Sequence, residues 1–132
     1  FEQYLGQFPA QVFDKINENF IRCSFFELCS RYLSSCYTFA IEQNNSAGRS
    51  DFEMTGIPGT DYYKDDRLAE FKYFKAKEAE RMLALSDPRP EDVAQVLAYA
   101  KDTKEKFPHY HVRSYIVYIC ANKGWKCWEV TP

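Results

Sequence analysis

The stretch from Arg67 to Phe74 reads RLAEFKYF. Strand side chains alternate between faces with period two, so this stretch reads as a strand with Leu68, Glu70, Lys72 and Phe74 on one face. Glu70 and Lys72 are then side-by-side neighbours. The bland alternative is an ordinary Glu–Lys pair on a solvent-exposed strand face, and Glu-x-Lys alone is too common to carry chemistry.

Working upstream, Asp51 to Ile57 alternates in part and reads as a strand, stopped by the breaker Gly56–Ile57–Pro58–Gly59. Asp65 and Asp66 read as the close of the turn that follows. Cys36 to Ile41 (CYTFAI) is aromatic and β-branched, which favours a first strand, and Gln43 to Gly48 (QNNSAG) reads as a turn. Gln11 to Ser35 reads as helix, because Val12, Ile16, Phe20, Phe25, Leu28 and Tyr32 recur mostly at three- and four-residue steps. Pro9 is a helix-start signal, and the segment is either one helix or two with a bend near Asn17–Asn19.

Downstream, Ala76 to Leu85 reads as a short helix and Ser86 to Pro90 as a loop. Glu91 to Phe107 is an amphipathic helix: Pro90 precedes it, acidic residues fill its first turn and lysines its last turns, and Val93, Val96, Leu97 and Ala100 form its apolar stripe. Arg113 to Ala121 (RSYIVYICA) reads as a buried strand. Lys126 to Val130 reads as a last strand after a turn at Asn122–Gly124. The order is helix, three strands, helices, strand, strand. That order predicts an α/β domain: an antiparallel three-strand meander, a helical crossover to a further strand, and a mixed sheet with helices on its faces.

The 132 residues suit one domain with a sizeable core, and a 17% aromatic content argues against disorder. A net charge of −2 excludes a protein that holds nucleic acid by bulk basicity, so any such contact needs local Lys and Arg clusters or a metal. No apolar run approaches the length of a membrane span, and the polar, acidic opening of the chain is not expected to act as a signal peptide. The chain opens on Phe1, which reads as a fragment of a longer protein. Cys23, Cys29, Cys36, Cys120 and Cys127 are odd in number and lack tight pairs, so they are expected to be free, small core residues in a reducing, cytoplasmic setting. His109 and His111 lack a third ligand in sequence and are expected to be structural or exposed.

Adjacent antiparallel strands place Asp51, expected to open the second strand after the Gly48–Arg49–Ser50 turn, near Glu70. Two carboxylates at one point form a hard oxygen site suited to Mg²⁺ or Mn²⁺, with the backbone carbonyl of Phe71 available to complete the shell. Such an ion polarises a phosphate oxygen and lowers the pKa of bound water. Lys72, on the same face, is placed to orient or deprotonate that water and to steady developing charge.

The arrangement resembles the PD-(D/E)XK nuclease superfamily, whose core is helix, three-strand meander, helix, strand. Ser50–Asp51 stands for the PD element and Glu70–Phe71–Lys72 for the (D/E)XK element. It is closer still to the PD-(D/E)XK domains found behind AAA-ATPase-like modules in bacterial, Bacteroides-type proteins. Those carry a Glu before an aromatic run on the first helix, here Glu18–Asn19–Phe20 followed by Phe25–Phe26. A Glu on the first strand precedes a Gly-Arg-x-Asp turn, here Glu42 and Gly48–Arg49–Ser50–Asp51. The third strand is here Ala69–Glu70–Phe71–Lys72, and the crossover helix has a Gln and then a Tyr, here Gln95 and Tyr99. The resemblance runs from about Asn17 to Val130. Departures are the missing proline before Asp51, a long polar connection over residues 56–66, and Arg67 where an aliphatic residue usually starts the strand.

The resemblance implies that Asp51 and Glu70 bind the metal and Lys72 positions or activates the attacking water. It implies that Glu18 reaches in from the first helix towards a metal-bound water or second cation, and that Gln95 orients substrate or Lys72. The plain alternatives are a solvated Glu18 near a helix bend and a Gln95 that merely neighbours the apolar stripe. Tyr99 is expected to pack, Glu42 to sit at a strand end, and Arg49 either to contact phosphate or to pair with Glu53. The implied activity is divalent-metal-dependent hydrolysis of nucleic acid, DNA before RNA. Its rivals are a catalytically lapsed module beside an ATPase-like domain, serving nucleic-acid or protein interaction, and an assembly domain docking through the hairpin that carries Trp125 and Trp128.

Overall fold

The computed structural model describes residues 1–45 and 48–132, and their side chains except those of residues 42–45 and 48–50. Two short elements open the chain: helix α1 (Glu2–Leu5) and a 3₁₀ turn at Ala10–Asp14. Helix α2 (Glu18–Leu33) follows. Of the two alternatives for Gln11 to Ser35, the break near Asn17–Asn19 is the one found, and the single helix from Gln11 is not. Asn17 is extended and its side chain accepts the Phe20 N–H at 3.0 Å, which satisfies an orphan donor of the first turn and fixes the boundary there.

Strands β1 (Tyr37–Asn45), β2 (Gly48–Gly56) and β3 (Asp65–Phe74) form the expected antiparallel meander. The first hairpin is longer than expected: β1 runs through the polar stretch read as a turn and pairs Asn45 with Gly48. A ladder needs only backbone donors and acceptors, so polar composition does not forbid it. Likewise Asp65 and Asp66 belong to β3 rather than to a turn, and Asp66 is buried.

Helices α3 (Ala76–Leu83) and α4 (Pro90–Lys106) make the crossover to β4 (His111–Cys120), which lies parallel to β3 in the register Glu70 to Ile116. Strand β5 (Gly124–Val130) returns antiparallel. The sheet order is β1-β2-β3-β4-β5, a mixed five-stranded sheet between helices, as the sequence pattern predicts.

Period-two alternation along β3 divides the core into two layers. Phe71 points to the α2 side, against Phe25 and Phe52 with ring centroids 5.1 and 6.3 Å away. Phe74, on the other face with Glu70, joins Met82, Val96, Ile116 and Tyr118 beneath α3 and α4. Of the cysteines, Cys29 and Cys120 are buried, as expected of core residues, whereas Cys23 and Cys127 are exposed; all five are free. Among the described residues no helix is long and apolar enough to cross a membrane.

Candidate active site

The site arises where β2 leaves β3. Their ladder runs from Thr55 opposite Asp66 to Phe52 opposite Ala69. Beyond it the β2 side of β3 holds backbone donors that need other acceptors, and carboxylates supply them. Asp51 Oδ2 accepts the Phe71 N–H at 2.9 Å, and Glu18 Oε1, from the first turn of α2, accepts the Tyr73 N–H at 3.4 Å. Strand geometry sends the N–H and C=O of one residue to the same edge, so the Phe71 carbonyl faces the side from which Asp51 approaches. Asp51 thus sits inside β2 rather than at its opening, and it meets Glu70's strand as anticipated.

Glu70 is 2% exposed and Lys72 is half-buried. Lys72 Nζ lies 3.1 Å from Glu70 Oε1. The pair is therefore not an ion pair on a solvated strand face. Glu70 Oε2 is buried with no hydrogen-bond partner. An orphaned carboxylate oxygen in a dry place is costly unless something else fills it. Burial pushes the Glu70 carboxyl up to about 7; the charge of Asp51 adds to the rise and Lys72 opposes it. Burial works to lower Lys72, but Glu70, and after it Glu18 and Asp92, outweigh burial and hold the ammonium above its ordinary value. In the metal-free protein Lys72 is thus held as a positive charge beside Glu70.

Two contributors escaped the sequence reading. Arg22, buried one turn into α2, places Nη1 2.6 Å from Asp51 Oδ1, while Nη2 reaches Asn19 Oδ1 at 3.2 Å. Asp92, also buried, accepts from the Tyr118 hydroxyl and from Arg89 Nε at 2.9 Å, and its charge bears on Lys72. The acidic first turn of α4 signals a carboxylate there, yet reads as a complement to the helix dipole. For Arg22 the sequence holds no comparable signal, because its partner lies 29 positions away.

Gln95 and Tyr99 do act together, as their spacing on one helix face allows: the Gln95 amide donates to the Tyr99 hydroxyl at 2.7 Å. Tyr99 packs with Leu68 and Ala100, so its packing role stands. His109 and His111 are exposed. Glu42 and Arg49 lie outside the residues whose side chains are described. Among the described residues no group of three or more His, Cys, Asp or Glu side chains is gathered for a metal. The donor set is two carboxylates and a carbonyl, hard oxygens suited to a small divalent ion, and the unpartnered Glu70 Oε2 gives such an ion something to satisfy.

A mixed sheet flanked by helices, with paired carboxylates and a lysine where two strands part, defines a restriction-endonuclease-like α/β protein. A family model for the PD-(D/E)XK nuclease superfamily matches residues 16–129, and the chain belongs to that superfamily. Membership points to a nuclease-type function, and nucleases of this superfamily generally use divalent metals. No curated protein and no solved structure matches the chain.

Proposed function

We propose that this domain hydrolyses phosphodiester bonds of nucleic acid, DNA by preference, with Mg²⁺ or Mn²⁺ at Asp51, Glu70 and the Phe71 carbonyl. The observation that carries the reading is the buried Glu70, paired with half-buried Lys72 beside Asp51, with one Glu70 oxygen unpartnered. A divalent ion bound there would polarise a phosphate oxygen and make water a stronger nucleophile at neutral pH. Lys72, kept protonated, donates to the attacking water or to a non-bridging oxygen and offsets the negative charge that builds in the transition state. Glu18 fastens the free edge of β3 through the Tyr73 N–H and leaves its second oxygen for a water. Gln95, tied to Tyr99 on α4, orients substrate or Lys72, as the resemblance implies. We further propose a cytoplasmic setting and an ATPase-like domain in the same protein, on the resemblance alone.

The direct assay is cleavage of duplex DNA, single-stranded DNA and RNA in the presence of Mg²⁺ or Mn²⁺. Lys72→Met should lower the DNA rate by about 10²- to 10⁴-fold, the usual worth of a positioned proton-transfer or charge-stabilising group. Equal rates for the two proteins would remove Lys72 from the chemistry. One observation favours the second reading, a lapsed site kept for nucleic-acid or protein interaction: Arg22 already neutralises Asp51. On that reading the protein binds nucleic acid equally well with and without divalent ions and cuts nothing.

A further inference from the structure

The position of Arg22 joins these two readings in one device. Both oxygens of Asp51 are engaged, Oδ1 by the Arg22 guanidinium at 2.6 Å and Oδ2 by the Phe71 N–H at 2.9 Å. The first is a full positive charge, held in a buried place by an equally buried carboxylate. A divalent ion and a guanidinium want the same thing from Asp51, its negative charge. The backbone N–H carries no net charge and a carboxylate oxygen has a second lone pair, so that bond is compatible with a metal. The guanidinium is the competitor.

The geometry points to Arg22 as an internal counter-cation that holds Asp51 ready in the metal-free protein and that an incoming divalent ion displaces. This rests on the nuclease reading of Asp51 and Glu70. Without Arg22 the metal-free site would place two buried carboxylates beside each other against the single charge of Lys72, and like charges in a dry site repel strongly. With Arg22 in place the charge of Asp51 is balanced while the site is empty, at the cost of weaker metal binding. Asn19, one helical turn before Arg22, accepts from Arg22 Nη2 at 3.2 Å and is in place to keep the side chain near when Asp51 lets go. The role is one of positioning and regulation, exerted through Asp51.

The test is calorimetric titration of Mn²⁺ into the wild-type protein, Arg22→Gln and Arg22→Lys, without nucleic acid. Removing one nearby positive charge should tighten Mn²⁺ binding in Arg22→Gln by about tenfold or more. Arg22→Lys, which keeps the charge, should stay near the wild type. A purely structural arginine would give the opposite order, with Arg22→Gln binding as weakly as the wild type or worse, and that result overturns the inference while leaving the nuclease reading in place. Binding by Arg22→Gln but not by the wild type supports the inference. Absence of Mn²⁺ binding in all three overturns both. Should Arg22→Gln fail to fold, a crystal structure of the wild type with Mn²⁺ decides: Arg22 parted from Asp51 supports displacement, and Arg22 still in hydrogen-bond contact with Asp51 beside a bound ion refutes it.

Discussion

Asp66 shows how a residue outside the chemistry can set the behaviour of the domain. It is 1% exposed, its Oδ1 has no hydrogen-bond partner, and burial, with Glu53 adding to it, pushes its carboxyl up to about 8. The folded protein therefore keeps a proton on Asp66 that the unfolded chain gives up near its ordinary value of 3.8. The sign follows from linkage: this contribution to stability is complete below the unfolded value and is lost as pH rises through about 8. Glu70, raised to about 7, acts in the same direction while no metal is bound. Urea midpoints in metal-free buffer should fall between about pH 4 and about pH 8, and Asp66→Asn should flatten the fall. Parallel curves for the two proteins would show that Asp66 carries no raised carboxyl. At this scale the sequence disclosed part of the site. Glu70, Lys72 and Asp51 were visible because strand period and strand adjacency are local rules. Arg22 and the reach of Asp92 towards Lys72 were not, because they depend on how helices stack on the sheet.

Boundaries, rather than element types, are where elements and sequence disagree. Strand β3 and helix α4 were legible: the first by alternation, the second by Pro90, its charged ends and its apolar stripe. Apolar spacing runs unbroken from Gln11 and leaves one helix or two open; the Asn17 cap decides for the break, because it sets where the hydrogen bonding of α2 begins. The long connection before β3, a departure from the family pattern, has a physical anchor. A Cβ at Gly56 would lie 1.6 Å from the Tyr62 carbonyl oxygen, so the strand end and the returning loop touch backbone to backbone. Gly56→Ala should thus cost about 3 kcal/mol or more, whereas Asn17→Ala, loss of one cap, should cost about 1 kcal/mol. Urea unfolding of the two variants measures both. Equal costs would mean that the connection shifts freely and does not fix where β3 begins.

For the whole molecule, topology places the site. The antiparallel meander delivers Asp51 to β3 at the point where β2 departs, and departure strands the Phe71 and Tyr73 amides that Asp51 and Glu18 then hold. The crossover returns α4 over the face that carries Glu70 and Lys72, which brings Asp92 within electrostatic reach of the lysine. The central claim is that Asp51 and Glu70 share one divalent cation. Isothermal titration of Mn²⁺ into the wild-type protein, Asp51→Asn and Glu70→Gln tests it most directly. One Mn²⁺ site is expected in the wild type, lost or weakened at least about tenfold in each variant, since each removes a charged ligand from a low-dielectric site. Undiminished Mn²⁺ affinity in both folded variants would contradict it.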